Sequence, residues 1–243
     1  MRYFVPDIRV AQEAPNCIER LGGLPWGLPK ALWPRCSACN RSQSLLAQFQ
    51  HNDDRLDLGR DGRTLFVFQC NCDPGMCETW EAFSGANACF VLDANDLQAG
   101  ETSLPPDAPR ADPAVRVIGW FERDDGLPET LRAHFHSDAK HLALDEDIHA
   151  KVTWGTRIGG VPKWIQSAEE APRDDWHFTA QLDSSYSFHT APREAHSWVE
   201  PDASAYEGRT HRANGPNFGF GLGYVLLKPR GADVPEGCFF WQR

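Results

Sequence analysis

The run LGGLP at residues 21–25 returns as IGGVP at residues 158–162, with each leucine replaced by a β-branched residue. Each copy leads into a tryptophan-bearing stretch and then a strand-like run, LLAQF (45–49) in the first half and FTAQL (178–182) in the second. Ala-Gln falls at the same place in both. Further on, RTLFVFQ (63–69) and ACFVL (88–92) are answered by GYVLL (223–227) and CFFWQ (238–242), all dense in β-branched and aromatic residues. A Gly-Gly-x-Pro turn alone is common; agreement at several levels carries the inference of a duplication. Two copies fit a pseudo-symmetric single domain, because stacked repeats need at least three units to bury their faces.

These signals predict an α+β class, predominantly β: an internally duplicated, β-rich pseudo-symmetric fold with few short helices. A first repeat is expected over 1–99 and a second over 115–243, integrated into one domain. GETSLPPDAPRADPA (100–114) joins them as an extended connector, since four prolines do not suit a central strand. Helical signal is confined to LPETLRAHFH (127–136), after Pro128, and CIERLGG (17–23), where a helix would end at the glycines.

A chain of 243 residues buries enough core to fold without a staple, so any staple present organises a local region. No apolar run is long enough to span a bilayer, and the first twenty residues mix charge and proline where a secretory signal needs an apolar core. A cytoplasmic, non-membrane protein is expected. The formal charge of −10, with no Lys/Arg run, argues against nucleic acid and suits a basic protein partner.

In a reducing compartment the eight cysteines are expected to ligate metal, catalyse or pack rather than form disulfides. WPRCSACNR (33–41) places Cys36 and Cys39 two residues apart in a turn-like stretch, and FQCNCDPGMCETW (68–80) adds Cys70, Cys72 and Cys77 around Asp73-Pro74-Gly75. A pair from each of two turns is what a closed tetrahedral zinc site requires. Cys36, Cys39, Cys70 and Cys77 are the expected ligands, because the last two bracket the whole turn; Cys72 is the reserve, and pairs that include it stay open. A thioredoxin-like site would need its Cys-x-x-Cys to open a helix after a strand, a context lacking here. Cys17, Cys89 and Cys238 read as small core residues.

Other candidates carry less. His134, His136, His141 and His149 follow no metal-binding pattern. Gly219, Gly221 and Gly223 alternate with apolar residues ahead of YVLL, which suits a bend or close strand approach rather than a phosphate loop. Asp183, Trp164 and His177 are the residues that would meet a small molecule if the chain were an enzyme with a site between the repeats. Asp183 also reads as a turn-capping carboxylate.

GGLP, WPRCSACNRSQSLLAQF, RTLFVFQCNCDPGMCETW, IGGVPKWIQ, AQLDS and FGFGLGYVLL together resemble the YwqG-like bacterial family of unknown function, across nearly the whole chain. That family looks related to the eukaryotic programmed-cell-death-2 proteins, whose shared domain has a GG-x-P opening, a Cys-x-x-Cys before L-x-Q and further cysteines after a strand. The resemblance implies a β-rich duplicated fold and, through relatives that look like dedicated chaperones for a ribosomal protein, protein binding. Carried over by position, the eukaryotic cysteine pattern matches Cys36, Cys39, Cys70 and Cys77. Many YwqG-like chains lack these cysteines, which ties a metal to stability more than to function. The expected function is thus a zinc-stapled module without catalytic activity that binds a protein client, chaperone-like or toxin-neutralising.

Overall fold

The computed structural model describes residues 1–73, 76–172, 175–188, 199–201 and 211–243. Its strands are Arg2–Val10 (β1), Arg20–Gly23 (β2), Ser44–Gln50 (β3), Thr64–Gln69 (β4), Asn87–Leu92 (β5), Ala111–Asp124 (β6), Arg157–Gly159 (β7), His177–Asp183 (β8), Ser185–Phe188 (β9), Val199–Pro201 (β10), His211–Asn214 (β11), Leu222–Lys228 (β12) and Glu236–Gln242 (β13). Ten close into an antiparallel barrel in the order β1-β6-β2-β3-β4-β5-β13-β12-β8-β7, while β10, β11 and β9 form a separate small sheet.

The architecture is therefore a closed β-barrel, which corrects the α+β class expected from sequence. The strands that make the difference are β1 and β6, which pair along their length and join β7 to β2. Both contain proline, and neither announces itself as a barrel strand. Pro6 lies beyond the two residues of β1 that pair with β7, so it has a partner strand on one side only. Pro113 lies inside β6, which begins at Ala111 within the proline-rich stretch, at a register shift where β2 moves from Leu21↔Val115 to Gly23↔Ala111. Such a bulge leaves residues outside the ladder, so proline fits there.

The strands built from the echoed segments take corresponding neighbours. β3 lies between β2 and β4, and β8 lies between β7 and β12. Leu21 stands opposite Ala47 as Ile158 stands opposite Ala180, and Arg20 opposite Gln48 as Arg157 opposite Gln181. β3 slips register between Leu45 and Ala47. β8 does so between Phe178 and Ala180. CIERLGG ends in strand β2, not in a helix, because both glycines adopt positive φ (66° and 72°) while Arg20 and Leu21 are already paired. Glu129–His136 forms a 3-10 helix after Pro128, followed by the short helices Asp138–Leu142 (α1) and Glu146–Lys151 (α2).

Alternation along each strand builds two layers. Inside the barrel pack Ile8, Leu21, Phe49, Leu65, Val67, Val117, Val225, Phe239 and Trp241, with contributions from all ten strands. Outside, Phe66 and Phe68 of β4 pack under Leu28 and Trp33. Tyr224, Leu226 and Phe240 are covered in the same way by Trp164. Burial on both faces explains why β4 and β13 read as nearly continuous apolar runs instead of alternating ones. Among the described residues no helix is long and apolar enough to cross a membrane.

Candidate metal centre

The structure brings Cys36, Cys39, Cys70 and Cys77 together: their four Sγ atoms all lie within 4.8 Å of one another. The Cys39 and Cys70 sulfurs are 3.6 Å apart. Four thiolates at roughly 2.3 Å from a tetrahedral ion sit about 3.8 Å from each other, so the cluster has the dimensions of a metal site. Cys36, Cys70 and Cys77 are buried and Cys39 partly so.

Two turns supply the sulfurs. In the first, the Cys36 amide donates to the Arg41 carbonyl and the Asn40 amide to the Cys36 carbonyl, each at 2.9 Å, within a small hairpin closed by Arg35 and Ser42. Asn40 holds φ at +56°, a left-handed conformation that asparagine tolerates well. In the second, Cys70 follows directly on β4 and its amide donates to the Ala86 carbonyl at 2.8 Å. The Cys77 amide reaches back to the Asp73 carbonyl at 2.9 Å. Pro74 and Gly75 of the Asp73-Pro74-Gly75 turn lie outside the described residues. The Ser37 amide bonds to the Gly85 carbonyl at 3.0 Å and locks the turns together. A side chain at Gly85 would put its Cβ 2.0 Å from the Ser37 hydroxyl, so only glycine allows this approach.

The electrostatics suit a cation. Burial pushes the Cys70 thiol up to about 11, even though the backbone N–H groups of Asp73 and Cys72 donate to its sulfur. Burial and the surrounding thiols push Cys77 upward too. At Cys39 burial acts upward as well, but the Arg41 backbone N–H and the neighbouring thiols hold its thiol below the ordinary value. A dication at the centre would supply the charge that favours thiolates, and the N–H groups already aimed at the Cys39 and Cys70 sulfurs would stabilise that state. Cys72 falls outside the foursome: burial raises its thiol, and its sulfur lies 3.9 Å from the Asp107 carbonyl oxygen.

The segment that follows Cys77 reaches the seam of the barrel with the fewest registered pairs. β5 and β13 share one registered pair, Phe90↔Glu236. Side chains make up the deficit. Trp241 Nε1 donates to Thr79 Oγ1 at 3.1 Å, and Asn87 Nδ2 donates to the carbonyls of Thr79 (2.6 Å) and Phe239 (3.2 Å). At the other end Arg63 donates to the carbonyls of Ala232 and Asp233, both at 3.0 Å, and to Asp93 at 2.7 Å. The cysteine turns thus anchor one of the two ties that close the barrel, a relationship that no spacing in the sequence announces.

The remaining candidates disperse. Asp183 is buried and accepts from the Gly155 and Ser185 amides, each at 2.8 Å, which makes it a loop-organising carboxylate. Trp164 is buried in the outer layer with its Nε1 on the Phe135 carbonyl, and His177 is exposed at the start of β8. No hydrogen bond, ion pair or ring contact joins these three. His141 and His149 stack edge to face at 4.6 Å, but among the described residues only the four cysteines group as metal ligands. A Cβ on Gly221 would lie 1.7 Å from the Gln242 carbonyl oxygen, and one on Gly223 2.7 Å from the Phe239 ring, so these glycines serve close approach of β12 and β13. Cys238 is buried and its thiol pushed up to about 12 by that burial, whereas Cys17 and Cys89 are half-buried. Comparison with protein-family models, with curated proteins and with solved structures finds no match for this chain.

Proposed function

We propose that Cys36, Cys39, Cys70 and Cys77 hold a structural zinc ion and that the chain is a zinc-stapled protein-binding module without catalytic activity, whose client is basic. The observation that carries the metal half is the all-sulfur cluster of four within 4.8 Å, three of its members buried. An all-thiolate, closed set selects zinc over the hard oxygen-seeking cations and offers no position for substrate. The ion's work is mechanical: it fixes the turn that ends at Cys77 and so the following Thr79, which with Asn87 at the start of β5 ties that segment to β13.

The binding half rests on charge and surface. The formal charge of −10 favours a basic client and steers it at long range. Leu32, Met76, Phe83, Trp154 and Phe220 are large apolar side chains left exposed. The resemblance to the YwqG-like family, with its chaperone-like eukaryotic relatives, supports the same reading. Barrel closure redirects it in one respect: every barrel strand has a neighbour on both sides and only short stretches such as the end of β1 lack a second partner, so side-chain pockets do the recognising.

The test is metal analysis of protein purified without added zinc, together with affinity capture from native lysate at two salt concentrations. About one equivalent of zinc per chain and a stoichiometric basic protein, released as salt rises, are expected. Metal-free protein with four freely titrating thiols overturns the zinc assignment. A reproducible turnover with no client recovered overturns the binding assignment.

A further inference from the structure

Just past Cys77, the last cysteine of the cluster, Trp80 and Glu81 form one wall of a surface cavity of about 410 Å³. Trp241 and Arg243 at the end of β13, with Gln166 and Glu170 from the loop before β8, form the rest. Trp80 and Trp241 meet nearly at right angles, 86° between planes and 6.4 Å between ring centroids, so their indoles make an aromatic corner. Trp241 is buried and held by its bond to Thr79, whereas Trp80 is more than a third exposed at the mouth. Glu170 is oriented by Gln242 Nε2, which donates to its Oε2 at 2.8 Å and leaves the other carboxylate oxygen without a partner among the described residues. The buried Gln242 is itself fixed by the Ile165 and Gln166 amides.

The charges on this wall are unmatched. Neither Glu81 nor Glu170 has an ion-pair partner among the described residues, although both lie on a cavity that Arg243 also lines. Two carboxylates against one guanidinium leave the cavity negative. Indole faces attract cations through the ring quadrupole, and a planar guanidinium both stacks on an indole and donates in parallel to a carboxylate. A compact ammonium does only part of this.

We propose that this cavity is the docking site for an arginine side chain of a basic protein segment, a proposal that rests on the protein-binding reading and gives it an address. The guanidinium lies in the corner of Trp80 and Trp241 and donates to Glu81 and Glu170. The four cysteines set the affinity indirectly, because Trp80 and Glu81 stand three and four residues after Cys77 and move with its turn.

The experiment is titration of a fluorescein-labelled heptapeptide, Gly-Arg-Gly-Arg-Gly-Arg-Gly, into the full zinc-loaded chain, followed by anisotropy, with lysine and glutamate versions of the peptide as comparisons. The arginine peptide is expected to bind best. Trp80→Ala weakens it about tenfold. Glu81→Gln and Glu170→Gln each weaken it about fivefold, as expected for loss of a charge-assisted bond. Arg243→Gln tightens it. Glu122→Gln, the same charge change at an exposed site on β6, leaves it within twofold. Near-UV circular dichroism of each variant confirms that the fold is kept, and Glu170→Gln, which retains an oxygen for Gln242, is the variant least able to disturb it. Equal weakening by Glu122→Gln and Glu170→Gln, or no effect of Trp80→Ala, overturns this cavity as the site while leaving a binder of basic segments. Failure of the arginine peptide to bind at all overturns both.

Discussion

Arg20 and Arg157 hold the same place in two different strands of the barrel, each the first residue of its strand. Each stands opposite the glutamine of an Ala-Gln pair, and each sends its guanidinium to the carbonyl four residues ahead, Leu24 at 2.8 Å and Val161 at 2.5 Å. Their glutamines match too. Gln48 Oε1 accepts from the Trp26 amide at 2.8 Å and Gln181 Oε1 from the Lys163 amide at 3.0 Å, the residue after Gly-Gly-x-Pro in both cases. The arginines differ in charge balance: Arg20 pairs with Glu101 at 2.7 Å, whereas Arg157 donates from its terminal nitrogens to the Thr153 and Val161 carbonyls, keeps a buried Nε with no partner among the described residues, and lies over the Tyr3 ring.

Gln48 and Gln181 are both fully buried, so replacing either by leucine strands backbone groups that they satisfy. Gln48→Leu leaves the Trp26 amide and carbonyl unpaired, and Gln181→Leu leaves the Lys163 amide and the Gly155 carbonyl. Each substitution should lower stability by about 2–4 kcal/mol, two buried groups being lost. Urea denaturation of the two variants checks this, and nearly equal losses are the expected outcome.

Stripping the metal, or replacing Cys36 by serine, should loosen β5 and β13 before the rest of the barrel. Metal binding to a site absent from the unfolded chain contributes directly to folding free energy. Hydrogen exchange followed by mass spectrometry should show faster exchange across 77–92 and 236–242 in the metal-free protein, with β1 and β6 unchanged. Uniform acceleration through all ten strands would contradict the seam-closing role.

Acid should act on the opposite end of that seam. Hydrogen bonding from Arg63, assisted by Arg60, holds the Asp93 carboxyl below its ordinary value. A carboxylate depressed in the fold contributes stability that is present above the unfolded pKa of about 3.9 and is lost as pH falls through the folded value. Stability measured from pH 6 downward should therefore fall less steeply below about pH 4 in Asp93→Asn than in the native chain. The variant should also start lower at pH 6, since Arg63 loses its charged partner.

Gly221 and Gly119 should respond oppositely to alanine. At Gly221 the new Cβ would meet backbone, the Gln242 carbonyl oxygen at 1.7 Å, so β12 and β13 must move apart at their ends. A loss of about 3 kcal/mol is expected. At Gly119 nothing lies within 4 Å, and alanine should be neutral or slightly stabilising because it restricts the unfolded chain. Thermal melts of the two variants give the comparison.

The sequence by itself determined what is local and repeated. The echoed turns, six of the barrel strands and the group of cysteines are all legible in short windows, because turn chemistry, β-branched density and ligand spacing act over a few residues. Tertiary structure alone decided the rest. Pro6 and Pro113 disguise β1 and β6, and only their pairing with each other, bridging β7 to β2, turns two sets of strands into a closed barrel. Among Cys70, Cys72 and Cys77, spacing left the choice open. The fold separates them, because Cys70 leaves β4 into the cluster while the Cys72 sulfur lies toward Asp107. The corner of Trp80 and Trp241 joins residues more than 150 positions apart, and no periodicity or motif encodes such a meeting. Its geometry comes from closing β5 against β13, a long-range contact whose partners are chosen by the packing of the whole barrel.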